Sequence, residues 1–214
     1  MNRGEVQRYA VILSPLVVIA VCHAVQRAVG SMLGVWAWMP TMLVFWGCIA
    51  GVVAWSRGAV RDWLRPPQGR WFWSALALGV GLLSVGEIAS AWRVLGSPVL
   101  FWSWLGFGLI NPWFEEGYWR GLLIDATRAW PVGLGVVYST VLFALSHPLV
   151  WGVHSIALRN PAALVGLTLV GAVWGTAYWR TRSLRFTIAG HVCANLLGLA
   201  APVLVNAHIP AALR

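Results

Sequence analysis

Two adjacent carboxylates and an arginine stand within an apolar run: residues 114–120 read FEEGYWR, between VLFWSWLGFGLI and GLLI. On a helix, Glu116 and Arg120 are four apart and share a face, so an ion pair between them offsets part of both burial costs. Glu115 is turned about 100° away from its neighbour and has no partner within its own helix. An unpaired carboxylate of that kind is able to take a proton from water as a general base. The competing reading is a buried charge cluster that only fixes helix packing. Two histidines weigh against it: His147 in VLFALSHPLV and His191 in FTIAGHVCANLLG lie in separate apolar segments. His191 and Asn195 are four apart and share a face, as do Phe143 and His147, so each pair is able to address a common point.

These side chains need an apolar framework to hold them. Of the 214 residues, 59% are hydrophobic and 10% charged, against about 25% charged in an ordinary soluble domain. The composition is that of an integral membrane protein with no separate soluble domain. Seven apolar segments are expected as helices, at about 9–29, 39–55, 71–91, 99–127, 131–150, 161–179 and 186–205, since isolated spanning strands would leave their backbone groups unpaired. The first is read as a transmembrane helix rather than a cleaved leader, because its apolar stretch is long and no A-x-A site follows. The fold class expected is therefore an all-α, polytopic helical bundle forming one membrane domain.

All fifteen basic residues are arginines, which gives a net charge of +9. Ten of them, including Arg57, Arg61, Arg65, Arg70, Arg180, Arg182 and Arg185, fall in segments expected on one side, which sets a cytoplasmic amino terminus and an outside carboxyl terminus. That distribution accounts for the charge without a nucleic-acid partner. The absence of lysine points to a GC-rich bacterial genome, hence to the bacterial cytoplasmic (inner) membrane. Trp36, Trp38, Trp55, Trp63, Trp71, Trp92, Trp130, Trp151 and Trp179 fall near expected span ends and read as interfacial anchors. Cys22, Cys48 and Cys193 read as buried thiols without a disulfide framework.

Ionisable groups inside a bilayer cost about 2.5–3.5 kcal/mol each on insertion scales and call for a partner or a function. Counted at about 1.5 Å per residue from the arginine-rich ends, Glu115 lies about 20 Å deep, His147 about 24 Å, Asn195 about 15 Å and His191 about 9 Å. Helix tilt and a break near Asn111-Pro112 must close that spread if one cavity is to hold all four. Asn111 is expected to cap the motif helix with Pro112 at its first position. Asp125 is expected beside Arg128, Glu87 either in helix packing or at a cavity rim, and His23, His154 and His208 at interfaces.

In chain order, EExxxR in FEEGYWR, FxxxH in FALSH and HxxxN in HVCAN resemble the signature of the CPBP family. This family comprises the CAAX protease and bacteriocin-processing intramembrane endopeptidases, including type II CAAX prenyl endopeptidases. The stretch GLTLVGAVWGTAYWRTRSLRFTIAGHVCAN is similar to the family's late region, and the resemblance covers about 111–197. It implies a catalytic core at 99–206, preceded by helices of unassigned role at 1–98. It also implies that Glu115 activates water, that His147 assists, that His191 and Asn195 stabilise the oxyanion, and that Glu116 and Arg120 support them. Peptide hydrolysis needs a base, oxyanion donors and an acid for the leaving amine, and this set supplies all three. The partners implied are a membrane-associated protein or peptide substrate and the lipid bilayer, with no cofactor. Zinc held by Glu115, His147 and His191 is the mechanistic rival, disfavoured because no H-E-x-x-H occurs and Glu115 would have to serve as both ligand and base. From other classes, a non-enzymatic bacteriocin-immunity or regulatory membrane protein and a small proton-coupled transporter stay open, although no internal repeat supports the transporter.

Overall fold

The computed structural model describes residues 2–131 and 133–209 and is helical throughout, with no strand among the described residues. Its α-helices are α1 (Arg3–Leu33), α2 (Trp38–Trp55), α3 (Val60–Trp63), α4 (Trp71–Leu82), α5 (Val85–Ala91) and α6 (Pro98–Glu115). A π-helical turn, Glu116–Leu122, leads into α7 (Leu123–Ala126); α8 (Leu134–Val150), α9 (Pro161–Thr181), α10 (Arg185–Leu197) and α11 (Ala200–Leu204) follow. Among the described residues, four helical runs are long and apolar enough to cross a membrane: Arg3–Trp55, Trp71–Gly96, Leu134–Val153 and Pro161–Thr181. The seven expected segments are compatible with this arrangement and are mainly helical, with turns inside 71–91 (α4 to α5) and 186–205 (α10 to α11).

Local chemistry accounts for several helix ends. The Asn2 side chain accepts from the Glu5 amide at 2.9 Å while Glu5 accepts from the Asn2 amide at 2.8 Å, a reciprocal cap that opens α1. Asn160 accepts from the Ala162 amide at 2.9 Å ahead of Pro161, which opens α9. Arg182 closes α9 in the left-handed region, at φ 55°, with its amide bonded to the Tyr178 carbonyl.

Helices α4 and α10 cross in close backbone contact. A Cβ on Gly81 would overlap the Gly190 carbonyl, and one on Gly190 would overlap the Ala77 carbonyl, so two glycines let the backbones touch. The Trp174 indole N–H, from α9, donates to the same Ala77 carbonyl at 2.9 Å and ties a third helix to the crossing.

The arginine-rich segments gather at one end of the bundle. Ser183 donates to the Arg65 carbonyl at 2.7 Å, Arg185 to the Leu64 carbonyl at 2.6 Å, and the Leu184 amide to the Trp63 carbonyl at 2.8 Å. Arg8, from α1, donates to the Ala126 carbonyl at 2.7 Å.

Three sequence expectations are corrected here. No break occurs at Asn111-Pro112: α6 runs from Pro98 to Glu115 with Pro112 inside it, and Asn111 is a buried mid-helix residue rather than a cap. Neighbouring helices supply the partners that let a spanning helix tolerate proline, and here the Trp46 indole on α2 donates to Asn111 Oδ1 at 2.9 Å. Asp125 does not pair with Arg128; its Oδ2 accepts from Trp63 Nε1 and the Tyr178 hydroxyl, each at 2.9 Å, and its Oδ1 lies 3.7 Å from Arg182. Trp38, Trp63 and Trp151 are core residues rather than interfacial anchors, whereas Trp55, Trp71 and Trp92 are exposed.

Candidate active site

Four structural segments converge on one cluster. The end of α6 supplies Asn111 and Glu115, the π turn supplies Glu116 and Arg120, α8 supplies Phe143 and His147, and α10 supplies His191 and Asn195. A π turn adds a residue to a helical repeat and occurs frequently at functional sites. Here it falls on the motif itself, directly after Glu115.

Arg120 Nη1 donates to Glu116 Oε1 at 2.9 Å, the ion pair expected from the spacing, and both side chains are essentially inaccessible at 1% and 0% exposure. The same Glu116 oxygen lies 2.9 Å from His191 Nδ1. Because that carboxylate, paired with Arg120, only accepts, Nδ1 carries the proton of this contact and leaves Nε2 as the outward ring nitrogen. Nε2 faces Glu115, 3.6 Å from its Oε2, beyond hydrogen-bonding distance. Glu115 Oε2 and Asn195 Nδ2 are both buried without a hydrogen-bond partner among the described residues. Buried polar atoms are almost always paired, so a carboxylate oxygen and an amide donor left open at one site call for a reason.

Aromatic side chains hold the charged ones. The Arg120 guanidinium lies 4.1 Å from the Phe143 ring centroid and 5.4 Å from that of Trp174. The His191 ring stacks on Trp174 with centroids 4.6 Å apart and planes 23° apart. Phe143 meets His147 edge to face at 4.8 Å, and His147 Nδ1 donates to the Phe143 carbonyl at 2.8 Å, which leaves its Nε2 unengaged. A Cβ on Gly171 would sit 3.1 Å from Phe143 and 3.5 Å from Arg120, so the glycine makes room for this stack.

Glu115, His147, His191 and Asn195 all line one cavity of about 350 Å³, together with Asn111 and Glu87. Glu87 thus stands on the cavity rather than in helix packing. The four residues share this cavity despite the depth spread counted along the chain; Ser183 and Leu184, just ahead of α10, are buried against the segment around Trp63 and Arg65.

Sequence reasoning missed Trp174 and Trp46. Trp174 had a signal, a tryptophan in mid-segment rather than at a span end, but nothing in the sequence pairs it with His191. Of the interfacial histidines, His23 lies 2.5 Å from the Leu149 carbonyl and His154 lies 3.4 Å from the Gln26 carbonyl, away from the cavity.

A helical membrane protein with a buried glutamate, histidine, arginine and asparagine cluster beside an internal cavity defines the class. Residues 97–197, from the start of α6 to the end of α10, match the family described as type II CAAX prenyl endopeptidase Rce1-like. That segment carries every motif residue and is similar to the CAAX prenyl endopeptidases, a family whose reaction is peptide-bond hydrolysis. Neither curated proteins nor solved structures give a match.

Proposed function

We propose that this protein is an intramembrane endopeptidase of the bacterial inner membrane, with its amino terminus cytoplasmic and its carboxyl terminus outside. It hydrolyses a peptide bond in a membrane-associated protein or peptide. The observation that carries the mechanism is the pair of unsatisfied buried atoms, Glu115 Oε2 and Asn195 Nδ2, lining one cavity with two histidines. Glu115 takes a proton from water, and the resulting hydroxide attacks the scissile carbonyl. Asn195 Nδ2 and a protonated His191 Nε2 donate to the developing oxyanion, where fixed donors in a water-poor site act most strongly. His147 Nε2 shuttles the proton to the leaving amine.

Zinc has weaker support from the residues present. The outward Nε2 atoms of His147 and His191 suit a metal, but among the described residues no three His, Cys, Asp or Glu side chains are grouped closely enough to hold one. The test of the function is quantitative proteomics of membrane peptides from wild-type and Glu115→Gln cells at equal protein abundance. An uncut precursor should accumulate in the variant. Identical peptide profiles would leave the non-enzymatic immunity, regulatory or transporter readings standing instead.

A further inference from the structure

A second cavity lies on the other side of the motif helix. It is an apolar slot of about 440 Å³, walled by Ile49, Val53, Trp113, Leu184 and Ile188, and floored by Phe114 and Gly117. Exposed Ala50 and half-exposed Trp113 stand on its lining, so the slot opens laterally where hydrocarbon would surround the helices. Its mouth is not apolar. Arg57 lines the slot, and Gly58, Val60 and Leu64 are shared with an adjoining polar recess bordered by Arg61, Arg65 and Arg185.

The arginines at that mouth are unevenly committed. Arg65 is paired with Asp62 at 2.6 Å, and Arg185 is held by the Leu64 carbonyl at 2.6 Å. Arg57 and Arg61 are exposed and have no ion pair or side-chain hydrogen bond among the described residues. A comparable crevice between α1 and α2, lined by Leu13, Val17, Val21 and Val52, has no charged residue on its lining. At the same level of α2, one greasy slot therefore has a cationic mouth and the other has none.

We propose that the slot bounded by α2, α6 and α10 is a binding site for one anionic bilayer phospholipid, its acyl chain in the slot and its phosphate among Arg57, Arg61 and Arg185. Charge complementarity selects this occupant: basic recesses between membrane helices on the arginine-rich face bind anionic headgroups, and a neutral lipid leaves the mouth uncompensated. The site backs directly onto the catalytic helix. Phe114 and Gly117 face the slot, while Asn111 and Glu115 face the reaction cavity, so an acyl chain there braces the turn that carries Glu116 and Arg120. The proposal stands independently of the peptidase reading, because its test needs no substrate.

The experiment is native mass spectrometry of the full chain released from nanodiscs holding equal phosphatidylglycerol and phosphatidylcholine of the same chain length. One phosphatidylglycerol should remain bound in preference to phosphatidylcholine. Arg57→Asn with Arg61→Gln should bring the two lipids to parity, asparagine being chosen because Arg57 has φ 54°. Ala50→Trp, which fills the slot and leaves the charge intact, should reduce retention of both. Arg93→Gln, in the turn after α5, should change neither. Equal retention of the two lipids by wild type overturns the proposal, as does loss of lipid with Ala50→Trp but not with the arginine variants, which would mark an unselective acyl crevice. Preferential retention of an added acylated peptide over phosphatidylglycerol overturns it as well.

Discussion

Glu116 and His191, 75 residues apart in the chain, meet through Oε1 and Nδ1 at 2.9 Å. One carboxylate oxygen thus serves both the Arg120 guanidinium and the His191 ring, and the ring it orients is clamped from its face by Trp174. The pair turns a structural ion pair into a device that decides which nitrogen of His191 looks into the cavity. Glu115, the neighbouring carboxylate, makes no such bond.

The clearest consequence concerns Glu115 and Asn195. Replacing the proposed base, Glu115→Gln, should lower turnover by about 10²–10⁴-fold, the range supplied by positioned acid–base groups. Asn195→Ala should lower kcat by about 10²–10³-fold with little change in KM, because an oxyanion donor is used in the transition state rather than on binding. Single-turnover cleavage by purified protein measures both. A KM effect alone for Asn195→Ala would make the residue a substrate contact instead.

The elements of this site differ in how far the sequence revealed them. Glu115, Glu116, Arg120, His147, His191 and Asn195 announced themselves because ionisable and amide side chains inside apolar segments are expensive, and the i, i+4 rule paired Glu116 with Arg120. Tertiary pairings carried no such local signal. Asp125 has Arg128 three residues away, yet Trp63, Tyr178 and Arg182 from other elements meet its carboxylate. Asn111 before Pro112 read as a cap because local chemistry favours that, and only the Trp46 indole, 65 residues away, makes a buried mid-helix asparagine tenable. The π turn is likewise largely a tertiary outcome: EGYWRGL holds no proline and its two glycines alone do not specify such a turn, whereas its side chains Tyr118, Trp119 and Arg120 are all buried.

Removing one partner of the buried pair should test stability separately from chemistry. Glu116→Gln leaves Arg120 with its compensating charge gone, and breaking a buried pair in this way costs about 3–5 kcal/mol. Membrane abundance should fall. Adding Arg120→Met should restore abundance, since a neutral, apolar filling of the site removes the orphaned charge. Activity should stay low in the double variant, because His191 has lost the carboxylate that sets its ring. Recovery of full activity would assign Glu116 and Arg120 to packing alone.

Treatment of the purified protein with a strong zinc chelator should leave cleavage unchanged if Glu115 acts without metal. Loss of activity that added zinc restores would instead assign Glu115, His147 and His191 as ligands. Metal content of the active protein, measured on the same sample, links either outcome to occupancy.

The α4–α10 crossing carries a prediction that bears on the site from outside it. His191 is the residue after Gly190, whose missing side chain lets the helix lie against the Ala77 carbonyl. Gly190→Ala should force α10 away from α4, at a cost of about 1–3 kcal/mol or more for overpacking. Gly81→Ala should cost a similar amount, since its Cβ would meet the Gly190 carbonyl. Gly79→Ala, on the same helix with nothing within 4 Å of its Cβ, should leave the melting temperature in detergent unchanged or raised. Of the two destabilising variants, Gly190→Ala should also reduce turnover per folded molecule, because it displaces His191 relative to Glu116 and Asn195 relative to the cavity. Equal turnover per folded molecule in the three glycine variants would mean that the site tolerates movement of α10, and that the 2.9 Å contact is not what sets the rate.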